Sequence, residues 1–154
     1  MASAYVTEAT VRARLGNRAT AALDRDKDGA EDDGLLAELI AEAGDEINMR
    51  LAQRLSTPFP DINDSPATPT EIQRIALWIV LAECYDWLEP GGRDATVYRD
   101  KANATLEALA EGRADLPSQS RTPGYASGVV AVYESEDATF AGVDSDGISR
   151  SRGI

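Results

Sequence analysis

Apolar residues return at helical spacing in three long stretches of this chain, and turn formers and acids fill the gaps between them. Leu36, Ile40, Ala43, Ile47, Leu51 and Leu55 recur at three- and four-residue steps, which places them on one side of a helix. Glu38, Glu42, Asp45 and Arg54 fall on the opposite, polar side. The pattern predicts a helix beginning at Asp32 or Asp33 and running to about Leu55, roughly 33 Å long.

The next stretch, about residues 69–88, is apolar around most of its circumference, from Ile72 to Leu88. A helix of that kind is buried nearly all round. It is therefore expected at the centre of the fold, or facing a subunit partner on its second side. Thr68-Pro69-Thr70-Glu71 predicts its start, with Thr68 as N-cap, proline at the first helical position and glutamate three residues after the cap. Pro90-Gly91-Gly92 stops it; nothing about that tripeptide is a phosphate loop, which would follow a strand and end in Gly-Lys-Ser/Thr. Asp94 is the expected cap of a third long helix, whose buried side runs from Val97 or Tyr98 through Ala102, Thr105, Leu106 and Leu109 to a stop at Gly112.

Ahead of these, Thr7 is expected to cap a short helix over residues 8–15 closed by Gly16, with Val6, Val11 and Leu15 near one face. A second short turn covers residues 17–23. Residues 56–69 carry Pro58, Pro60, Pro66 and Pro69 and form a linker that no helix continues through. From about residue 117 the composition changes to Ser, Gly, Asp and Arg, with one strand-like patch, Val129-Val130-Ala131-Val132-Tyr133. That patch is too short to make a sheet alone, so it needs a partner edge or stays mobile. No internal repeat is present.

The expected fold is thus all-α. Residues 1–116 form a small helical domain of three main helices plus short N-terminal ones, and residues 117–154 form an extended C-terminal arm that adds a short strand to a partner. The arm ends Ile148-Ser149-Arg150-Ser151-Arg152-Gly153-Ile154, basic and apolar in an otherwise acidic chain. Val130, Val132, Tyr133, Phe140, Ile148, Arg150, Arg152 and Ile154 are the candidate partner-binding residues. Docking would order the arm at an entropic cost, so it is expected to be loose when free.

Composition narrows the chemistry. The net charge of −12 argues against affinity for nucleic acid, since phosphate binding rests on Lys and Arg. An acidic surface can still face DNA whose passage it must not hinder. With no histidine, neither a Ser-His-Asp nor a Cys-His constellation can be built, and one cysteine cannot supply a zinc site. No catalytic residue, metal ligand set or cofactor is expected, and the protein is read as a non-enzyme. Cys84 lies in an apolar helical run and is expected to be a buried small hydrophobe; Trp78 and Trp87, on different parts of the same helix, are both expected in the core. No stretch is apolar for the ~20 residues that a membrane span needs, and no basic start followed by an apolar core marks a secretory signal, so the chain is expected to stay in the compartment where it is made.

Asp24-x-Asp26-x-Asp28-Gly29 reads like the opening of an EF-hand, where alternating carboxylates and a glycine turn wrap calcium. Position twelve, which should be a bidentate glutamate, is Leu35, and only a short turn precedes the loop. A solvated acidic loop, whose aspartates satisfy local backbone groups and cap the next helix, accounts for the same residues. Paired carboxylates such as Asp32 with Asp33 and Glu134 with Glu136 read as solvated surface.

Several segments together resemble a known group. They are Tyr5-Val6-Thr7 with Arg14-Leu15-Gly16, the acidic loop from Leu23 to Gly29, Ala41-Glu42-Ala43-Gly44-Asp45-Glu46-Ile47 with Leu51-Ala52-Gln53-Arg54, Glu71-Ile72-Gln73-Arg74-Ile75-Ala76, and Leu106-Glu107-Ala108-Leu109-Ala110-Glu111-Gly112-Arg113. Over about residues 4–117 the chain is similar to head–tail connector (adaptor, head-completion) proteins of tailed phages, of the Mu-like and gene-transfer-agent type. The resemblance implies a virion structural protein at the head–tail interface, present in the host cytoplasm during assembly. It implies a homo-oligomeric ring, commonly of twelve copies, bound to the portal protein and to a stopper or tail-completion protein, with genomic DNA passing through the lumen without specific binding. A calcium-responsive or regulatory helical binding module is the other reading that the residues allow.

Overall fold

Residues 4–64 and 67–116 are described by the computed structural model, and all regular structure among them is helical. The α-helices are α1 (Glu8–Leu15), α2 (Ala19–Leu23), α3 (Leu35–Leu51), α4 (Thr70–Leu88) and α5 (Arg93–Ala110), with a 3-10 turn, Gly16–Arg18, between the first two. This is the expected all-α arrangement of three long helices and short N-terminal ones.

The start of α1 is set as predicted: the Thr7 hydroxyl accepts the Thr10 N–H at 3.2 Å, and Val6, Val11 and Leu15 are buried. In α3 the whole predicted apolar stripe is buried, from Leu36 to Leu51, with Leu55 just beyond the helix end. The helix starts later than the acids suggested. Gly34, in the left-handed region at φ 79°, precedes it without a side-chain cap, so neither Asp32 nor Asp33 begins the helix. Asp32 is instead engaged by the loop before it, accepting the Arg25 N–H at 2.7 Å.

The largest departure concerns Arg54. Expected on the polar side of α3, it is buried. The helix ends at Leu51, so the helical phase no longer applies three residues later. Arg54 turns instead to the far end of α5, where its Nη1 donates to the carbonyls of Leu109 at 2.8 Å and Ala114 at 3.1 Å, and its Nη2 pairs with Asp115. Carbonyls at a helix C-terminus lack intrahelical donors and carry the negative end of the helix dipole, which suits a cation. The backbone leaves room for it: at Gly112, φ 78°, a Cβ would meet the Arg54 guanidinium at 3.2 Å.

Helix α4 is central, packing against each of the other α-helices, with Ile72, Ile75, Ala76, Ile79, Val80, Leu81, Ala82 and Cys84 buried. Its start differs from the prediction. The Thr68 hydroxyl donates to the Pro60 carbonyl at 2.8 Å rather than capping, Pro69 takes the cap position, and Gln73 Nε2 donates to the Thr68 carbonyl at 2.6 Å. The proline-rich stretch before it packs closely. Tyr5, fully buried, donates to Asn48 Oδ1 at 2.6 Å and accepts the Phe59 N–H at 3.0 Å, with the two rings edge to face at 5.9 Å.

At the start of α5, Gly92 is the cap and Asp94 sits inside the first turn, so the expected Asp94 cap is absent. Ala95, Ala102, Leu106 and Leu109 form the buried side; Tyr98 and Thr105 are half-buried and Val97 is exposed. Arg99 of α5 reaches Glu46 of α3 at 3.4 Å and pairs with Glu83 of α4, tying the three long helices together.

Candidate functional site

The eight arm residues singled out from the sequence, Val130, Val132, Tyr133, Phe140, Ile148, Arg150, Arg152 and Ile154, lie outside the described residues. Among the described residues the acidic loop after α2 is the densest cluster of chemistry. Leu23, buried at the end of α2, accepts the Asp32 N–H at 2.8 Å and so closes the base of the loop. Inside it, Asp24 accepts the N–H groups of Asp28 at 3.1 Å and Gly29 at 2.9 Å. Asp26 also accepts the Asp28 N–H at 3.1 Å, and Asp28 accepts that of Ala30 at 2.8 Å. Short polar side chains that bond their own backbone a few residues on are what hold such turns.

These bonds draw the three carboxylates together, with ligand oxygens within 4.8 Å of one another. The N–H of Asp28 draws the Asp26 carboxyl toward the ionised form; partial desolvation, the charges of Asp28 and Asp32 and the Asp24 side chain together outweigh it, and the pKa ends above the usual value. Leu35, at the position where an EF-hand has its bidentate glutamate, is buried in the core. The loop's aspartates therefore satisfy the local backbone as the sequence suggested, but they do not cap α3.

Trp87 holds the loop to the end of α4. Its indole N–H donates to the Asp24 carbonyl at 3.3 Å, and the Arg25 guanidinium lies 5.6 Å from the ring centre. Trp87 is exposed rather than in the core, contrary to expectation, while Trp78 is half-buried against it. Next to this anchor, Arg18 pairs with Asp94 at 3.6 Å and lies over Tyr85, which stacks on Tyr98 at 5.7 Å. Lys101 closes that row over Tyr98. From the sequence Tyr98 was expected only as a packing residue and Arg54 only on a polar face, and neither the tyrosine stack nor the buried guanidinium was anticipated. Seven positions separate Tyr85 from Trp78 and put both on one side of α4, but nothing in the spacing says which α5 residue meets them.

Cys84 is buried, as expected, and burial pushes its thiol up to about 11. Between α1 and the first turns of α4 lies an open groove of about 210 Å³, whose lining includes Val6, Ile62, Leu77, Arg14 and Arg74. No helix among the described residues is long and apolar enough to cross a membrane.

The arrangement offers an acidic loop held by its own backbone bonds and, beside it, a set of aromatic and basic side chains in contact. The family model described as Bacteriophage Mu, Gp36 matches residues 5–132. That match runs past residue 116 and takes in most of the valine-rich patch. No curated protein matches the chain.

Proposed function

The chain belongs to the bacteriophage Mu Gp36 family, a family of Mu-like phage proteins, and from that premise we propose that it is a structural head–tail connector and not an enzyme. In this reading, copies of the helical domain form a ring below the portal, commonly of twelve, that extends the DNA channel. The ring carries the stopper or tail-completion protein, and the C-terminal arm grips a partner in the virion. Assembly takes place in the host cytoplasm.

The observation that carries the reading is the family match, in a chain whose Asp and Glu outnumber its Lys and Arg by 27 to 15. The net charge of −12 suits a channel wall, because it repels phosphates and keeps the genome from adhering. The all-helical fold and the absence of histidine fit a scaffolding role. Deleting the gene tests it: DNA-filled heads and separate tails should accumulate, and supplying the chain in trans should join them. Tailed, infectious particles formed without the chain would overturn the reading.

The three clustered carboxylates favour one other reading, a calcium-responsive module. Calorimetric titration separates the two. With Leu35 buried where the bidentate ligand belongs, no micromolar calcium binding is expected; micromolar binding abolished by Asp24→Asn would favour the module.

A further inference from the structure

Two surfaces carry charges that form no ion pair among the described residues. One is the groove between α1 and α4, where Arg14 and Arg74 line the same depression as Val6, Ile62 and Leu77, with threonines and Gln73 completing the wall. Neither arginine makes an ion pair or a side-chain hydrogen bond among the described residues, although six other arginines do form ion pairs. The other surface is the outer side of α3. Glu38, Glu42, Asp45 and Met49 follow at steps of four, three and four, all exposed, and so form one stripe about 16 Å long. None of the three acids is ion-paired among the described residues, and Met49, at 75% exposed, is the most open large apolar side chain there.

The two surfaces are complementary in kind: two cations beside apolar side chains in one depression, and three anions beside an unbranched apolar side chain. They do not meet within one chain. Helix α3 turns its buried side toward α4, which leaves the acidic stripe pointing away from the helix that carries Arg74. We propose that the groove receives the α3 stripe of a second copy, with Met49 seated beside Arg14 and Arg74 and the α3 carboxylates paired to those arginines. Methionine suits the seat because its flexible thioether fits irregular depressions. The contact uses two different patches, so it is head-to-tail, and repetition about an axis closes it into a ring. This names the subunit contact of the ring proposed above and rests on that reading.

Sedimentation of the full chain over a range of concentrations, in low and high salt, tests it. Wild-type chain should self-associate in low salt and dissociate in high salt, because exposed charges are screened. Arg14→Glu with Arg74→Glu should weaken association by about tenfold or more, and Glu38→Lys with Glu42→Lys and Asp45→Lys should do the same. Mixed in equal amounts, the two variants should associate again, since each then meets a face of opposite sign. All five positions are exposed, so both variants should keep the helical circular dichroism of the wild type. A wild type that stays monomeric in low salt, a variant that associates unchanged, or a mixture that stays monomeric overturns the contact. A connector located at the tail vertex with a monomeric wild type would sink the contact and leave the connector reading standing; salt-sensitive association with no effect of gene deletion on tail joining would do the reverse.

Discussion

A guanidinium shut away from water must find acceptors for its N–H groups, and Arg54 finds two of them in backbone carbonyls at the end of α5. Arg54→Ala should therefore cost about 2–4 kcal/mol in urea denaturation, since it removes the guanidinium donor from the Leu109 and Ala114 carbonyls and opens a hole beside them. The ion pair matters less, because the Asp115 side chain is half exposed and water screens it. Asp115→Asn should cost under about 1 kcal/mol, and an equal loss from both substitutions would contradict this ranking. At Cys84, burial holds the thiol neutral with a pKa of about 11, above the ordinary value of 9.0. The folded state then disfavours the thiolate more than the unfolded state does. Its contribution is present below pH 9.0 and is lost as the pH rises toward about 11. Denaturation of wild type and Cys84→Ala at pH 8 and pH 10 isolates this effect: the stability advantage of wild type should shrink at the higher pH, and an unchanged difference would contradict it.

At the scale of elements, periodicity read the helices well and their ends poorly. The stripes of α3 and α4 were visible because burial on one side, or on nearly all sides, leaves a regular imprint on composition. Ends depend on which polar side chain wins a backbone group, and three expected caps lost that contest: Asp32 bonds its own loop, Thr68 bonds Pro60, and Asp94 sits within the first turn beside Arg18. The proline-rich stretch shows a second limit. Its prolines say that no helix continues, but its attachment to the N-terminal segment is made by residues more than fifty positions away, Tyr5 at Phe59 and Ala4 at Asp61 and Ile62. Tyr5→Phe keeps the ring and removes the hydroxyl that bridges Asn48 and the Phe59 N–H. It should destabilise the fold by about 1–3 kcal/mol, read by chemical denaturation, and should speed amide exchange at Phe59. Unchanged exchange there would show that the tyrosine does not hold the segment.

For the whole molecule, the family could be read from short segments spread along the chain, and the family match bears that out over residues 5–132. The absence of histidine and the excess of acids were likewise plain in composition. What composition could not show is where the charge sits. Several arginines are engaged within the fold: Arg54 is buried, Arg99 bridges three helices, and the exposed Arg18 and Arg25 lie over aromatic rings. The exposed Glu38, Glu42 and Asp45 of α3 form no ion pair among the described residues. The central claim is that this acidic helical chain joins a phage head to its tail. A reconstruction of intact particles tests it most directly. Density for the α3–α4–α5 domain should appear in a ring beneath the portal, around the path of the DNA; finding the chain elsewhere in the particle, or not in the particle at all, would contradict the account.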